Sequence, residues 1–166
     1  MDTLTPTAAP VRLTWGTATT TLSWPGHPAA PPPVVLPFGV QSLAAACFSP
    51  PRPRPVELER AIDQIEDALD GLGSVRSNHP TLATTDPTLQ ALAQAHGHPG
   101  APGMWTLSRE QVETLFQRLA SASLGHPTAA AGLPDDNEAY ARLLILRELM
   151  HHLKFDAVHV HPPAGH

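Results

Sequence analysis

The sequence predicts an α+β domain: about four helices packed on a small, mainly antiparallel sheet made by an N-terminal hairpin and a C-terminal strand. Three observations predict it. Apolar residues alternate with a period of two near the start of the chain, recur every three or four residues through its middle, and return to a period of two near its end. The order is thus strands, helices, then one strand, without βαβα alternation. Of the 166 residues 42% are hydrophobic and only 15% charged, too few charges for self-repulsion to keep the chain unfolded. Leu, Ile, Val and Phe number 37 and Ala 24, so a core is available but thin.

The elements follow in order. Residues 1–10 read as a loose tail, and 11–161 as one domain with a Pro-rich connector at 25–33. Val11, Leu13 and Trp15 alternate with Arg12 and Thr14, and Thr20, Leu22 and Trp24 with Thr21 and Ser23, across a Gly16-Thr17 turn. This is a hairpin pattern. Val34–Leu36 is a short strand, and Leu43–Phe48 a turn or two of helix. After Pro55, the residues Leu58, Ala61, Ile62, Ile65, Ala68, Leu69 and Leu72 form one helical stripe. Its other face is acidic: Glu57, Glu59, Asp63, Glu66, Asp67 and Asp70. Asp86-Pro87 starts a helix that Gly97 ends. Ser108 and Gln111 form a capping box for the helix over 108–124, with Leu107 stapled to Val112. Asp135 with Glu138 caps the last helix, whose Leu143–Leu146, Leu149 and Met150 are apolar over more than half its circumference. Phe155–His161 reads as the final strand, and 162–166 as a tail. The stretches 73–85, 97–107 and 125–134 read as long loops.

Several function classes are excluded. The single lysine, Lys154, leaves no phosphate-loop or kinase lysine. A net charge of −5 with scattered basic residues argues against nucleic acid. One cysteine, Cys47, allows no internal disulfide and points to a reducing, cytoplasmic setting; its apolar context mutes it as a nucleophile. No stretch is long and apolar enough for a membrane span. Nine arginines and abundant alanine suggest a GC-rich, bacterial source. The serine-hydrolase elbow and the His-Glu-x-x-His motif are absent, and Gly71-Leu72-Gly73 follows a helix where a dinucleotide fingerprint needs a strand. Pro99 and Pro102 remove the amides that a phosphate cradle at Gly97, Gly100 and Gly103 would use.

With no complete catalytic constellation, the expected function is a non-catalytic interaction protein without a cofactor. It would act through a protein interface or as a homodimer, because the last helix is apolar around too much of its surface. The alternative is a metal-binding protein or zinc-dependent hydrolase using the C-terminal histidines. His159 and His161 project from one face of a strand, and a third ligand would come from His151, His152 or Asp156. Glu148 and His151 have the Glu-x-x-His spacing of di-iron bundles, but no second such pair exists.

Overall fold

The computed structural model describes residues 9–26, 29–72 and 81–164. Most of the expected N-terminal tail, two residues of the Pro-rich connector, residues 73–80 of one expected loop and the last two residues lie outside these. The described elements are β1 (Val11–Trp15), β2 (Thr20–Ser23), β3 (Val34–Leu36), α1 (Val40–Cys47), α2 (Pro55–Asp70), β4 (Thr81–Thr84), α3 (Pro87–His96), β5 (His98–Pro99), β6 (Trp105–Ser108), α4 (Arg109–Ser123), α5 (Asn137–His152) and β7 (Ala157–Val160).

The fold corrects the expectation of a small, mainly antiparallel sheet. Seven strands form one mixed sheet in the order β3-β2-β1-β4-β7-β6-β5. Its centre is parallel, β4 pairing with both β1 and β7; the remaining pairs are antiparallel. Among the described residues five α-helices accompany it, not four. The difference has a physical origin. β4, β5 and β6 are only four, two and four residues long, and all but Ser108 of β6 lie inside stretches that read as loop. β4, Thr-Leu-Ala-Thr, contains one large apolar residue. Its place in the sheet comes from β1 and β7 on either side, which supply the hydrogen bonds a lone strand lacks.

Strand alternation divides the sheet into two faces. Val11, Leu13, Leu22, Leu36, Leu82, Leu107, Val158 and Val160 are buried in the common core. Between them, Arg12, Thr14 and Val35 are exposed, and Ala83, Thr106 and His159 half-buried. The helices therefore serve one face. α5 lies at their centre, packed against α1, α2 and α4, with Leu143, Leu144, Ile145, Leu146, Leu149 and Met150 all buried. Its apolar circumference is satisfied within the chain. A homodimer would need a different surface from the one that suggested it.

Caps follow local chemistry. Asp86 Oδ1 accepts the Leu89 amide at 2.8 Å, and Ser108 and Gln111 exchange backbone–side-chain bonds of 2.9 and 3.1 Å. The cap of α5 is one residue later than expected. Asp136 Oδ1 accepts the Ala139 amide at 2.9 Å, while Asp135 pairs with Arg52 and accepts the Tyr140 hydroxyl. Gly39, before α1, faces the β1–β2 turn so closely that a Cβ there would sit 2.2 Å from the Gly16 carbonyl oxygen. Only glycine permits that approach. No helix of the described residues is long and apolar enough to cross a membrane.

The acidic helix α2 has the expected phase at Ile65, which is buried, and at Asp63 and Asp70, which are exposed; Ile62, expected buried, and Glu66, expected exposed, are both half-buried. Glu57 is buried instead of solvated: its carboxylate accepts the Ser49 hydroxyl at 2.6 Å and the Arg54 amide at 2.8 Å. Those bonds hold its pKa down to about 2. Ile65→Ala should cost about 2–4 kcal/mol through lost transfer energy and a residual cavity. Asp63→Ala should cost at most about 0.5 kcal/mol. Urea unfolding of the two variants checks this; equal losses would show that the helix faces are misassigned.

Candidate functional site

β1, β4 and β7 run in the same direction and in register, Val11 beside Leu82 and Leu82 beside Val158. Their carboxyl ends therefore lie side by side, at Trp15, Thr84 and Val160. In open sheets with a parallel centre, that is where ligands bind. A cleft of about 630 Å³ opens there, lined among others by Arg12, Thr14, Trp15, Thr85, Asp86 and His161. The volume suits a small ligand.

Each wall has a local cause. The start of α3 follows β4 directly, so its cap Asp86 sits at the cleft. Asp86 Oδ2 receives Arg142 Nε at 3.0 Å, and the Arg142 guanidinium lies 5.7 Å from the Trp15 ring centroid. Asp86 is thus committed twice, to the helix cap and to Arg142. The His161 amide donates to the Thr84 carbonyl at 2.9 Å, fixing the backbone of His161 beside β4. Arg12 is exposed and has no ion-pair partner among the described residues. The Trp15 indole N–H is buried and has no acceptor among them. A buried donor without a partner is costly unless something else accepts from it. The cleft therefore offers one uncommitted cation, several threonine hydroxyls and an imidazole. That inventory suits an anion with several oxygens.

The residues expected to bind metal are dispersed. His161 lines the cleft. His159, on the same face of β7, has Nδ1 3.0 Å from the Thr106 hydroxyl; burial and then the neighbouring His161 lower its pKa. Asp156 is exposed and pairs with Arg109 at 2.9 Å. His151 is exposed and lies beside Arg109, Glu113 and Arg147. His152 meets Glu66 and Glu148 across the α2–α5 contact. Among the described residues, this last trio brings three ligand atoms within 4.8 Å of one another; His159, His161 and Asp156 form no such group. Cys47 is buried, and burial raises its thiol pKa. The residues that sequence reasoning missed are Arg12, Trp15 and Asp86. Asp86 was visible only as a cap, and the parallel neighbours that bring the other two to it are far away in the chain.

No protein-family model matches this sequence, and no curated protein matches it. Solved structures do match in fold. The Aquifex aeolicus PPX-GPPA enzyme superimposes with a TM-score of 0.70 at 17% identity, over 96% of this chain and 55% of that one. An exopolyphosphatase from Cytophaga hutchinsonii gives a TM-score of 0.70 at 12% identity, over 95% of this chain and 54% of that one. The chain spans about half the length of these structures. The likeness is one of fold alone: what is shared is the mixed sheet with its helices. It overturns the expectation of a non-catalytic interaction protein, because the architecture is one that solved phosphatases carry.

Proposed function

We propose that this chain is a phosphatase-type hydrolase domain that binds a phosphate chain or phosphate ester in the cleft at the ends of β1, β4 and β7. The observation that carries the reading is the uncommitted cation Arg12, lining the cleft at the carboxyl ends of three parallel strands. Solved neighbours described as an exopolyphosphatase and a Ppx/GppA phosphatase support it. Arg12 would hold phosphoryl oxygens, with the hydroxyls of Thr14 and Thr85 beside it. His161 would give a proton to the leaving oxygen as water adds to phosphorus and the bridging P–O bond breaks. Asp86, already held by Arg142 and the Leu89 amide, would position α3 and Arg142 and leave the water alone. The lone cysteine supports a cytoplasmic setting.

Calorimetric titration with pyrophosphate and tripolyphosphate tests the binding. Arg12→Ala should weaken it about 10- to 100-fold, the worth of a charge-assisted hydrogen bond. His161→Ala should leave binding within a few-fold and lower any phosphate release. Binding equal in wild type and Arg12→Ala, or absent at millimolar ligand, would overturn the reading.

A further inference from the structure

At the other end of α5 from the cleft, α2 and α5 bring Glu66, Glu148 and His152 to one point. His152 Nε2 lies 3.3 Å from Glu66 Oε1 and 3.3 Å from Glu148 Oε2. Glu148 and His152 are four residues apart, on one face of the helix. Glu148 is buried, with 2% of its side chain exposed, while the other two are partly open. From these contacts we propose that Glu66, Glu148 and His152 form a divalent-cation site, of the size and ligand type that suits zinc.

Geometry is the first argument. A tetrahedral zinc ion with bonds of about 2.0–2.1 Å holds its ligand atoms about 3.3–3.4 Å apart. Both spacings to His152 Nε2 match that value, and the three ligand atoms lie within 4.8 Å of one another. The set of one imidazole and two carboxylates leaves a fourth position for water.

Proton counting is the second. An imidazole Nε2 carries at most one proton, yet it faces two carboxylate oxygens at equal distance. A cation between the three atoms satisfies all of them at once. The remaining Glu148 oxygen, Oε1, is already held by Arg147 Nη1 at 2.6 Å. That is the outer partner that orients a ligating carboxylate.

Charge is the third. Arg147 also pairs with Glu113, so one guanidinium serves Glu113 and Glu148, while Glu66 lies against His152 as a third carboxylate. Their sum is −2, and a dication brings it to zero. His151 stands next to His152, ring centroids 5.5 Å apart, and adds no negative charge.

The site is separate from the proposed phosphate cleft. His152 lies ten residues beyond Arg142 along α5, or about 15 Å of helix. Its role is to clamp α2 to α5, and it does not depend on the hydrolase reading.

The test uses the full chain, freed of metal with a chelator and carrying no histidine tag. Zinc is titrated against a chromogenic competitor, and cobalt is added for its visible absorption. Wild type should bind one equivalent of zinc, give the intense bands of low-coordinate cobalt, and melt at a higher temperature with zinc. His152→Asn and Glu66→Gln should each lose at least about 100-fold in affinity, more than outer partners cost. Glu66 is at the surface, so Glu66→Gln should fold like wild type, which circular dichroism verifies. His159→Asn/His161→Asn should bind as wild type does. Equal binding by wild type, His152→Asn and Glu66→Gln would overturn the site. So would loss confined to His159→Asn/His161→Asn, or wild-type binding only as weak as that of scattered surface histidines.

Discussion

Removing the guanidinium of Arg147 is expected to cost about 3–5 kcal/mol, the penalty for stripping a buried charge of its partner. Glu148 is buried, and burial raises its pKa against the pull of Arg147. Arg147 Nη1 holds it at 2.6 Å, and the same guanidinium bonds Glu113 on α4 and lies 4.9 Å from the Phe116 ring centroid. In Arg147→Ala, Glu148 would keep only Glu66, which repels it, and His152. Two controls separate charge from packing. Arg147→Met retains a stem over Phe116 and should still lose most of the stability. Arg147→Ala/Glu148→Gln removes the stranded charge and should recover part of it, a coupling that a double-mutant cycle measures. Urea unfolding in chelator-treated buffer checks all three. A loss below about 1 kcal/mol in Arg147→Ala, or no recovery in the double variant, would show that Glu148 does not depend on this pair.

Much of the secondary structure was legible because its signals are local. The hairpin of β1 and β2, the stripe of α2, the Asp86-Pro87 start of α3 and the Ser108–Gln111 capping box each lie within a few residues of their cause. The sheet was not legible, because its pairings are distant. His98–Pro99 is two residues opposite Trp105 and Thr106, and nothing in it has a strand period. Gly97 belongs there because a Cβ would sit 2.3 Å from the Thr106 carbonyl oxygen; in sequence it reads as a helix stop. The parallel centre was hidden for another reason. Parallel strands covered on both faces read as unbroken apolar runs. Here helices serve one face, so β4 and β7 keep the alternation of an antiparallel strand.

The site was legible in part. His161 and His152 stood among the expected ligands, but the structure places them at opposite ends of α5. The pairing of His152 with Glu148 has a sequence signal, the four-residue helical spacing. It was masked by the Glu-x-x-His spacing of Glu148 with His151, which points to a different chemistry. Glu66 had none, since its acidic neighbours on α2 give it the look of a solvated face. Arg12 looked like the polar partner in an alternating strand, which it also is. Only the neighbouring carboxyl ends of β4 and β7 turn that position into a wall of a cleft.

Leu144→Ala is expected to cost about 3–5 kcal/mol, at the upper end for a leucine whose neighbours cannot collapse around the cavity. Leu144 is fully buried on the helix that α1, α2 and α4 surround. Leu144→Met, close in volume, should cost less than about 1.5 kcal/mol. Leu124 is 66% exposed, and Leu124→Ala should cost under about 0.5 kcal/mol. The same experiment decides what α5 is for. If its apolar surface closes the core of one chain, the urea midpoint of wild type and Leu144→Ala should not change over an about tenfold range of protein concentration. If α5 is an interface element, the stability it confers is linked to association, and both midpoints should rise with concentration. The burial of Leu143 to Leu146 within the chain predicts the first result. A midpoint that rises with concentration in both proteins would return α5 to the role of a dimer contact.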